Sequence, residues 1–211
     1  MLGKSISKNS LILTAFALVT AGILAGTYQA TAERIAAAEK QAAQAALLEI
    51  VPDSRHDNDM LADTLPLTGQ LREELGIGDD VDIHLAKLKG EPVAVIVPAV
   101  APDGYSGDIK LIVGINVDGS IAGVRVLAHK ETPGLGDRVD LRKSDWVLGF
   151  NGKSLSDPEA DLWAVKKDGG AFDQFTGATI TPRAVVKRVK QTLEFYAHHQ
   201  DTLLPTPGSD G

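Results

Sequence analysis

The segment IKLIVGINVDGSIAGVRVL, residues 109–127, decides the fold. Two runs rich in Val and Ile, Ile109–Val117 and Ile121–Leu127, flank Asp118-Gly119-Ser120. Branched side chains suit a pleated, half-buried surface. Asp-Gly between two such runs is a strong hairpin signal, because glycine accepts the positive φ that a tight turn needs. The same pattern recurs upstream, where Ile83–Leu88 and Val93–Val100 flank Lys89-Gly90-Glu91. Two successive hairpins predict a meandering antiparallel sheet.

Downstream of the sheet the chain turns irregular, with glycines at 134, 136, 149, 152, 169, 170 and 177. A helix is then predicted from Pro182 to about His199. Thr181 is its expected N-cap and Pro182 its first helical residue. Val185, Val186, Val189, Leu193 and Tyr196 recur at helical spacing and mark the buried face, whereas Arg183, Lys187, Arg188, Lys190 and Glu194 lie elsewhere. Upstream of the sheet, residues 53–82 are polar and acidic, and we expect a loop with a short helix near Leu71–Leu75. Strands, then loops, then a helix make an α+β domain.

Composition narrows the chemistry. The chain has 211 residues, 21 Lys+Arg against 28 Asp+Glu, a net charge of −7 and no cysteine. Disulfides, thiolate metal sites and a thiol nucleophile are therefore excluded. An acidic balance argues against nucleic acid as a partner, since neutralising phosphates requires a basic surface.

The N-terminal region differs from the rest. Lys4 and Lys8 are the only charges before Glu33, and Leu11 to Tyr28 reads LILTAFALVTAGILAGTY. Eighteen helical residues rise about 27 Å, near the roughly 30 Å hydrocarbon core of a bilayer. Lysines on the N-terminal side keep that end in the cytoplasm and send the remainder across. A retained anchor and a cleaved signal peptide both fit, since Ala30-Thr31-Ala32 has the form of a cleavage site. The Ala- and Glu-rich run from Ala32 to about Ile50 predicts a juxtamembrane stalk helix, stopped by Pro52.

The most distinctive segment is Asp173-Gln174-Phe175-Thr176-Gly177-Ala178-Thr179, just before the last helix. Thr179 offers a hydroxyl beside a helix N-terminus, where free N–H groups and the helix dipole favour a phosphate. Gly177 and Ala178 keep the approach narrow, and Arg183 and Lys187 are expected to add positive charge. A plain capping turn would explain Thr181 alone. The whole pattern D-x-x-T-G-A-T is rarer, with chance odds on the order of 10⁻⁴ at average residue usage.

This pattern resembles the flavinylation motif of FMN-binding domains, in which a flavin transferase joins FMN by a phosphoester to the final Thr or Ser. The likeness continues through residues 102–109 (PDGYSGDI), 129–138 (HKETPGLGDR), Trp146 with Phe150, 165–170 (VKKDGG) and 172–186 (FDQFTGATITPRAVV). Together these resemble the RnfG family, which supplies the flavin-bearing G subunit of the Rnf electron-transport complex, over roughly residues 5 to 200. The resemblance favours a retained anchor. It implies that Thr179 carries covalent FMN and that Asp173, Thr176, Gly177 and Ala178 complete the transferase recognition motif. It also marks Glu131, Thr132, Leu135 and Gly136 as flavin neighbours, where the residues alone would read as a strand-exit turn.

The organisation so implied is a cytoplasmic N-terminus over 1–10, a transmembrane helix over 11–29 and a juxtamembrane helix over 30–52. Residues 53–100 form the first part of a periplasmic domain, 101–200 its FMN-binding domain and 201–211 a flexible tail. The implied function is an inner-membrane electron carrier whose partners are the other Rnf subunits, the membrane and the maturing transferase. No catalytic residue and no metal ligand is expected. The related FMN-bearing C subunit of the sodium-translocating NADH:quinone reductase is the nearest alternative, and a cofactor-free anchored scaffold is a second. Trp146 and Trp163 are candidates for stacking on the flavin, though an isolated Trp is more often core. His129 is expected to frame the site, and His198-His199 to complement the dipole at the helix end. Asp79, Asp80 and Asp82 read as a solvated acidic stretch.

Overall fold

The computed structural model describes residues 2–78 and 81–204. Both predicted hairpins form. Strands β2 (Ile83–Leu88) and β3 (Glu91–Ala101) are joined by Lys89 and Gly90 at φ 56° and 84°, the two consecutive positive values of a tight hairpin turn. Strands β4 (Ile109–Asn116) and β5 (Ile121–Ala128) turn through Gly119 at φ 82°. The Asp118 carboxylate accepts the Ser120 N–H at 2.9 Å and its hydroxyl at 2.6 Å, which closes the turn. These bonds hold Asp118 below the usual carboxylate pKa. A two-residue strand, β1 (Thr64–Leu65), adds to the edge at β2, giving an antiparallel sheet in the order β1-β2-β3-β4-β5. Nothing in the polar run 53–82 signals so short a strand. The helix near Leu71–Leu75 is α2 (Gly69–Leu75). Asp82 of the acidic stretch pairs with Arg72 at 3.2 Å, and Asp79 and Asp80 lie outside the described residues.

Alternation sorts the strands onto two faces. Val95, Val97, Leu111, Val113 and Ile115 face one core, joined there by Val185, Val186, Val189, Leu193 and Tyr196 of α3 (Ile180–Leu203). Ala86, Ala94, Ile96 and Ile112 face the other, with Ala46, Leu47 and Ile50. Ile50 fits because β4 and β5 carry Gly114 and Gly123 beneath it. A Cβ on Gly114 would lie 2.2 Å from the Ile50 Cγ2. Helices thus cover both faces of an antiparallel sheet.

The chain divides into two units, residues 1–42 and 43–211. In the first, α1 (Leu2–Ile50) begins, and Leu11, Ile12, Phe16, Leu18, Ile23 and Leu24 are all exposed. It is the one helix among the described residues long and apolar enough to cross a membrane. The hydroxyls of Thr20, Thr27 and Thr31 donate to carbonyls four residues back at 2.9, 2.6 and 2.8 Å, so these side chains leave no unpaired donor in an apolar surrounding.

Two helices differ from expectation in their bounds. No break separates the apolar run from the stalk: α1 continues to Ile50 and stops before Val51, whose position preceding Pro52 disfavours helical backbone. Its last turns are also more than a stalk, since Leu47 and Ile50 are buried. The last helix is longer at both ends than Pro182–His199. Leu203 is buried and holds the C-terminal turn, so residues 201–203 belong to the helix, and 205–211 of the expected tail lie outside the described residues. His198 and His199 are therefore not at the helix end. His199 lies 3.3 Å from Glu74 and against the Phe195 ring instead.

Candidate functional site

Antiparallel order brings three segments to one end of the sheet: the β3–β4 loop (102–108), the chain leaving β5 (129–136), and the start of α3. Between them lies a cleft of about 330 Å³, lined by Tyr105, Glu131, Thr132, Leu135, Gly136, Gly177, Ala178, Thr179, Ile180 and Thr181. That volume is in the range of small-molecule sites. Of the nine residues singled out in the sequence, seven line this cleft. Asp173 and Thr176 do not; both are exposed on the outer surface, with Asp173 paired to Lys166 at 2.6 Å.

Thr181 does not take the capping role expected of it, and Thr179 keeps a free hydroxyl. Thr179 is the N-cap residue of α3, and its side chain makes no capping hydrogen bond. Thr181 lies inside the first turn, fully buried, with its hydroxyl donating to the Glu131 carboxylate. Pro182 follows it at the third helical position, where the missing N–H removes a donor that would have had no helical partner. Thr179 thus presents an uncommitted hydroxyl to the cleft beside the N–H groups of Ile180 and Thr181. Gly177, at φ 83°, makes the preceding turn possible, and the bridge between Phe175 and Ala178 closes it.

Neither cation expected to add positive charge lines the cleft. Arg183 is held by both oxygens of Asp168 at 2.5 Å, and Lys187 by Asp103 at 2.6 Å. The hydrogen bond and charge of each cation keep Asp168 and Asp103 below the usual carboxylate pKa. Carboxylates outnumber cations in this sequence, and the first helical turns met two of them. Any phosphate at Thr179 is therefore met by backbone N–H groups and the helix dipole.

Glu131 is buried. Its Oε1 accepts the Ser106 N–H at 2.9 Å, its Oε2 accepts the Thr181 hydroxyl, and its own N–H donates to the His129 Nδ1 at 3.1 Å. His129 itself does not line the cleft. Neither tryptophan lines the cleft. Trp163 is core, against Phe150 and Phe172. Trp146 packs edge-on to Phe150 and Phe175 and donates its Nε1–H to the Asp173 carbonyl at 2.7 Å, so it holds the motif from behind. Tyr105, Ile180 and Thr181 complete the cleft and were not among the sequence candidates for flavin contact. The turn residues around Tyr105 were a signal: a Cβ on Gly104 would meet the Gly107 carbonyl at 2.2 Å.

Comparison with known proteins assigns names to these regions. Residues 104–194 match the FMN-binding domain family, and residues 1–50 match the RnfG N-terminal region. The G subunit of the ion-translocating oxidoreductase complex of Pseudoalteromonas atlantica is 52% identical over 198 residues, covering 94% of this chain and 91% of that protein. The G subunit of the Vibrio atlanticus complex is 47% identical over 203 residues, 96% of each chain. That of Shewanella oneidensis is 48% identical over 200 residues, 95% of this chain and 93% of its own.

Proposed function

The chain belongs to the RnfG family, the G subunits of ion-translocating oxidoreductase complexes, and from that membership we propose that Thr179 carries its FMN through a phosphoester. The protein is an FMN-carrying electron-transfer subunit of such a complex. These relatives favour the RnfG assignment over the sodium-translocating reductase, and the FMN-binding domain favours a carrier over a bare scaffold.

The observation that carries the attachment site is the contrast between two threonines two residues apart. Thr181 is buried and its hydroxyl is committed to Glu131, whereas the Thr179 side chain lines the cleft with no capping bond. Ester formation by the transferase breaks the Thr179 Oγ–H bond and the phosphorus–oxygen bond to the leaving group of a phosphoanhydride-activated FMN donor, forms the Oγ–P bond, and sends the proton off with that leaving group. The ester's negative charge then sits at the helix N-terminus, where the N–H groups of Ile180 and Thr181 receive it. FMN supplies the redox chemistry when bound, and the chain supplies attachment, orientation and a wall against solvent. Leu135, Gly136, Gly177 and Ala178 give an apolar, closely approached surface, and Thr132 and Tyr105 add polar groups at its edge.

Asp173 and Thr176 are exposed outside the cleft, which fits recognition by a flavin transferase better than contact with the flavin. Lys4 and Lys8 before the apolar run support a cytoplasmic N-terminus, with α1 as a retained anchor and the FMN-binding domain on the periplasmic side of the inner membrane.

The test is to express the full chain in membranes with a flavin transferase, denature it and read flavin fluorescence in the gel. Wild type and Thr179→Ser give a fluorescent band, and Thr179→Ala gives none. A dark wild-type band would remove the covalent reading, and a bright Thr179→Ala band would move the attachment site.

A further inference from the structure

We propose that the Glu131 carboxylate is a clamp that fixes the walls of the flavin cleft relative to each other, a positioning residue rather than a flavin contact. The inference rests on Thr179 as the attachment point and adds what orients the cofactor once attached. A phosphoester fixes one end of a long, flexible group; the ring is placed only if the surfaces around it are rigid.

Glu131 is 4% exposed, and each of its oxygens is bonded to a different segment. Oε1 takes the Ser106 N–H of the β3–β4 loop at 2.9 Å, and Oε2 takes the Thr181 hydroxyl of α3. Its backbone stands at the head of the loop that carries Thr132, Leu135 and Gly136. One buried carboxylate therefore joins all three segments that bound the cleft. Two hydrogen bonds to one buried carboxyl group, where water does not compete, hold their donors firmly.

The glycines around it show that the slot is cut to the carboxylate. A Cβ on Gly136 would lie 2.8 Å from both the Glu131 Oε2 and the Thr181 Oγ1. A Cβ on Gly104 would lie 2.9 Å from the Glu131 Oε1. A side chain at Gly136 would displace the carboxylate or the Thr181 hydroxyl, and one at Gly104 would meet the Gly107 carbonyl at 2.2 Å before it reached the carboxylate. Pinning Thr181 also sets the rotation of the first turn of α3, and so the direction in which Thr179, two residues earlier, leaves the backbone.

The experiment uses the full chain, flavinylated in membranes, in four forms: wild type, Glu131→Gln, Thr181→Val and Thr181→Ser. Gel fluorescence after denaturation reports attachment, and visible circular dichroism of the native protein reports whether the ring is held in one orientation. The clamp predicts a fluorescent band in all four. It predicts that Glu131→Gln and Thr181→Val lower the flavin dichroism roughly twofold or more, and that Thr181→Ser, which keeps the hydroxyl, matches wild type. A loss in Glu131→Gln with none in Thr181→Val would overturn the clamp and make Glu131 a direct flavin contact. Unchanged dichroism in both would overturn it outright. Should Glu131→Gln fail to accumulate, the Thr181 pair decides alone: a loss in the valine form rescued by serine supports the clamp, and no loss contradicts it. A dark wild-type band is a different failure, that of the attachment reading.

Discussion

The hairpins between Ile83 and Ala128 and the segment from His129 to Thr179 are held by different forces. In the hairpins, ladder hydrogen bonds fix the backbone and alternating side chains fill two cores, so each residue has many redundant supports. The following segment has only four short 3-10 turns, Gly136–Val139, Asp145–Phe150, Ala160–Leu162 and Lys166–Asp168. It is held by short-range backbone bonds within its turns, by Val139, Val147, Phe150, Trp163, Val165, Phe172 and Phe175 packed into the α3-facing core, and by single side-chain bonds to groups far away in sequence. Glu131 to Ser106 and Thr181, and Trp146 to Asp173, are the examples nearest the cleft. Beside the cleft such bonds tie together segments that are far apart in sequence. Stability and site geometry should therefore separate under mutation.

The largest effect on stability is expected in the sheet. Leu111→Ala empties a position that is 1% exposed and should cost about 2–5 kcal/mol by denaturant titration. The flavin dichroism of the protein that remains folded should not change; a change would mean the two regions are one cooperative lattice. Gly136→Ala should cost less, about 1–3 kcal/mol, because a Cβ must push the Glu131 carboxylate or the Thr181 hydroxyl aside. It should nevertheless disturb the flavin more than Leu111→Ala does, and the reverse order would break the contrast.

Trp146→Phe should be smaller again. The aromatic packing on Phe150 and Phe175 is kept, and one hydrogen bond to the Asp173 carbonyl is lost, at about 0.5–1.5 kcal/mol. The initial rate of flavinylation should fall with it, since the motif loses its support from behind. The smallest effect is at Asp168, whose pKa is held below its ordinary 3.8 chiefly by the hydrogen bond from Arg183. A depressed carboxylate stabilises the fold above that ordinary value and stops doing so as pH falls through the folded one. Wild type should therefore exceed Asp168→Asn slightly near neutral pH and lose that margin below about pH 4. A margin that grows with acid would contradict the assignment.

The contrast also explains what the sequence made legible. Runs rich in Val and Ile and two turn signals located both hairpins to within a residue or two, and helical spacing marked the buried face of α3. These are local signals. The start of α3 was misplaced because Thr181 and Pro182 look like a cap and first residue, yet Glu131, fifty positions earlier, binds the Thr181 hydroxyl and lets the helix begin at Ile180. Sequence distance also hid the neutralisation of Arg183 and Lys187 by Asp168 and Asp103. Seven of the cleft residues were found through motifs, whereas Tyr105 and Ile180 belong to no motif that names their role. Their exposure at the rim is a property of the fold.

The central claim is that one hydroxyl, that of Thr179, is the attachment point because its neighbours are spent elsewhere or face away. Peptide mapping by mass spectrometry of the flavinylated full chain tests it most directly. The account predicts one FMN, less one water, on Thr179 alone, with Thr176 and Thr181 unmodified in the same digest. FMN on either neighbour, or distributed among the three, would contradict it.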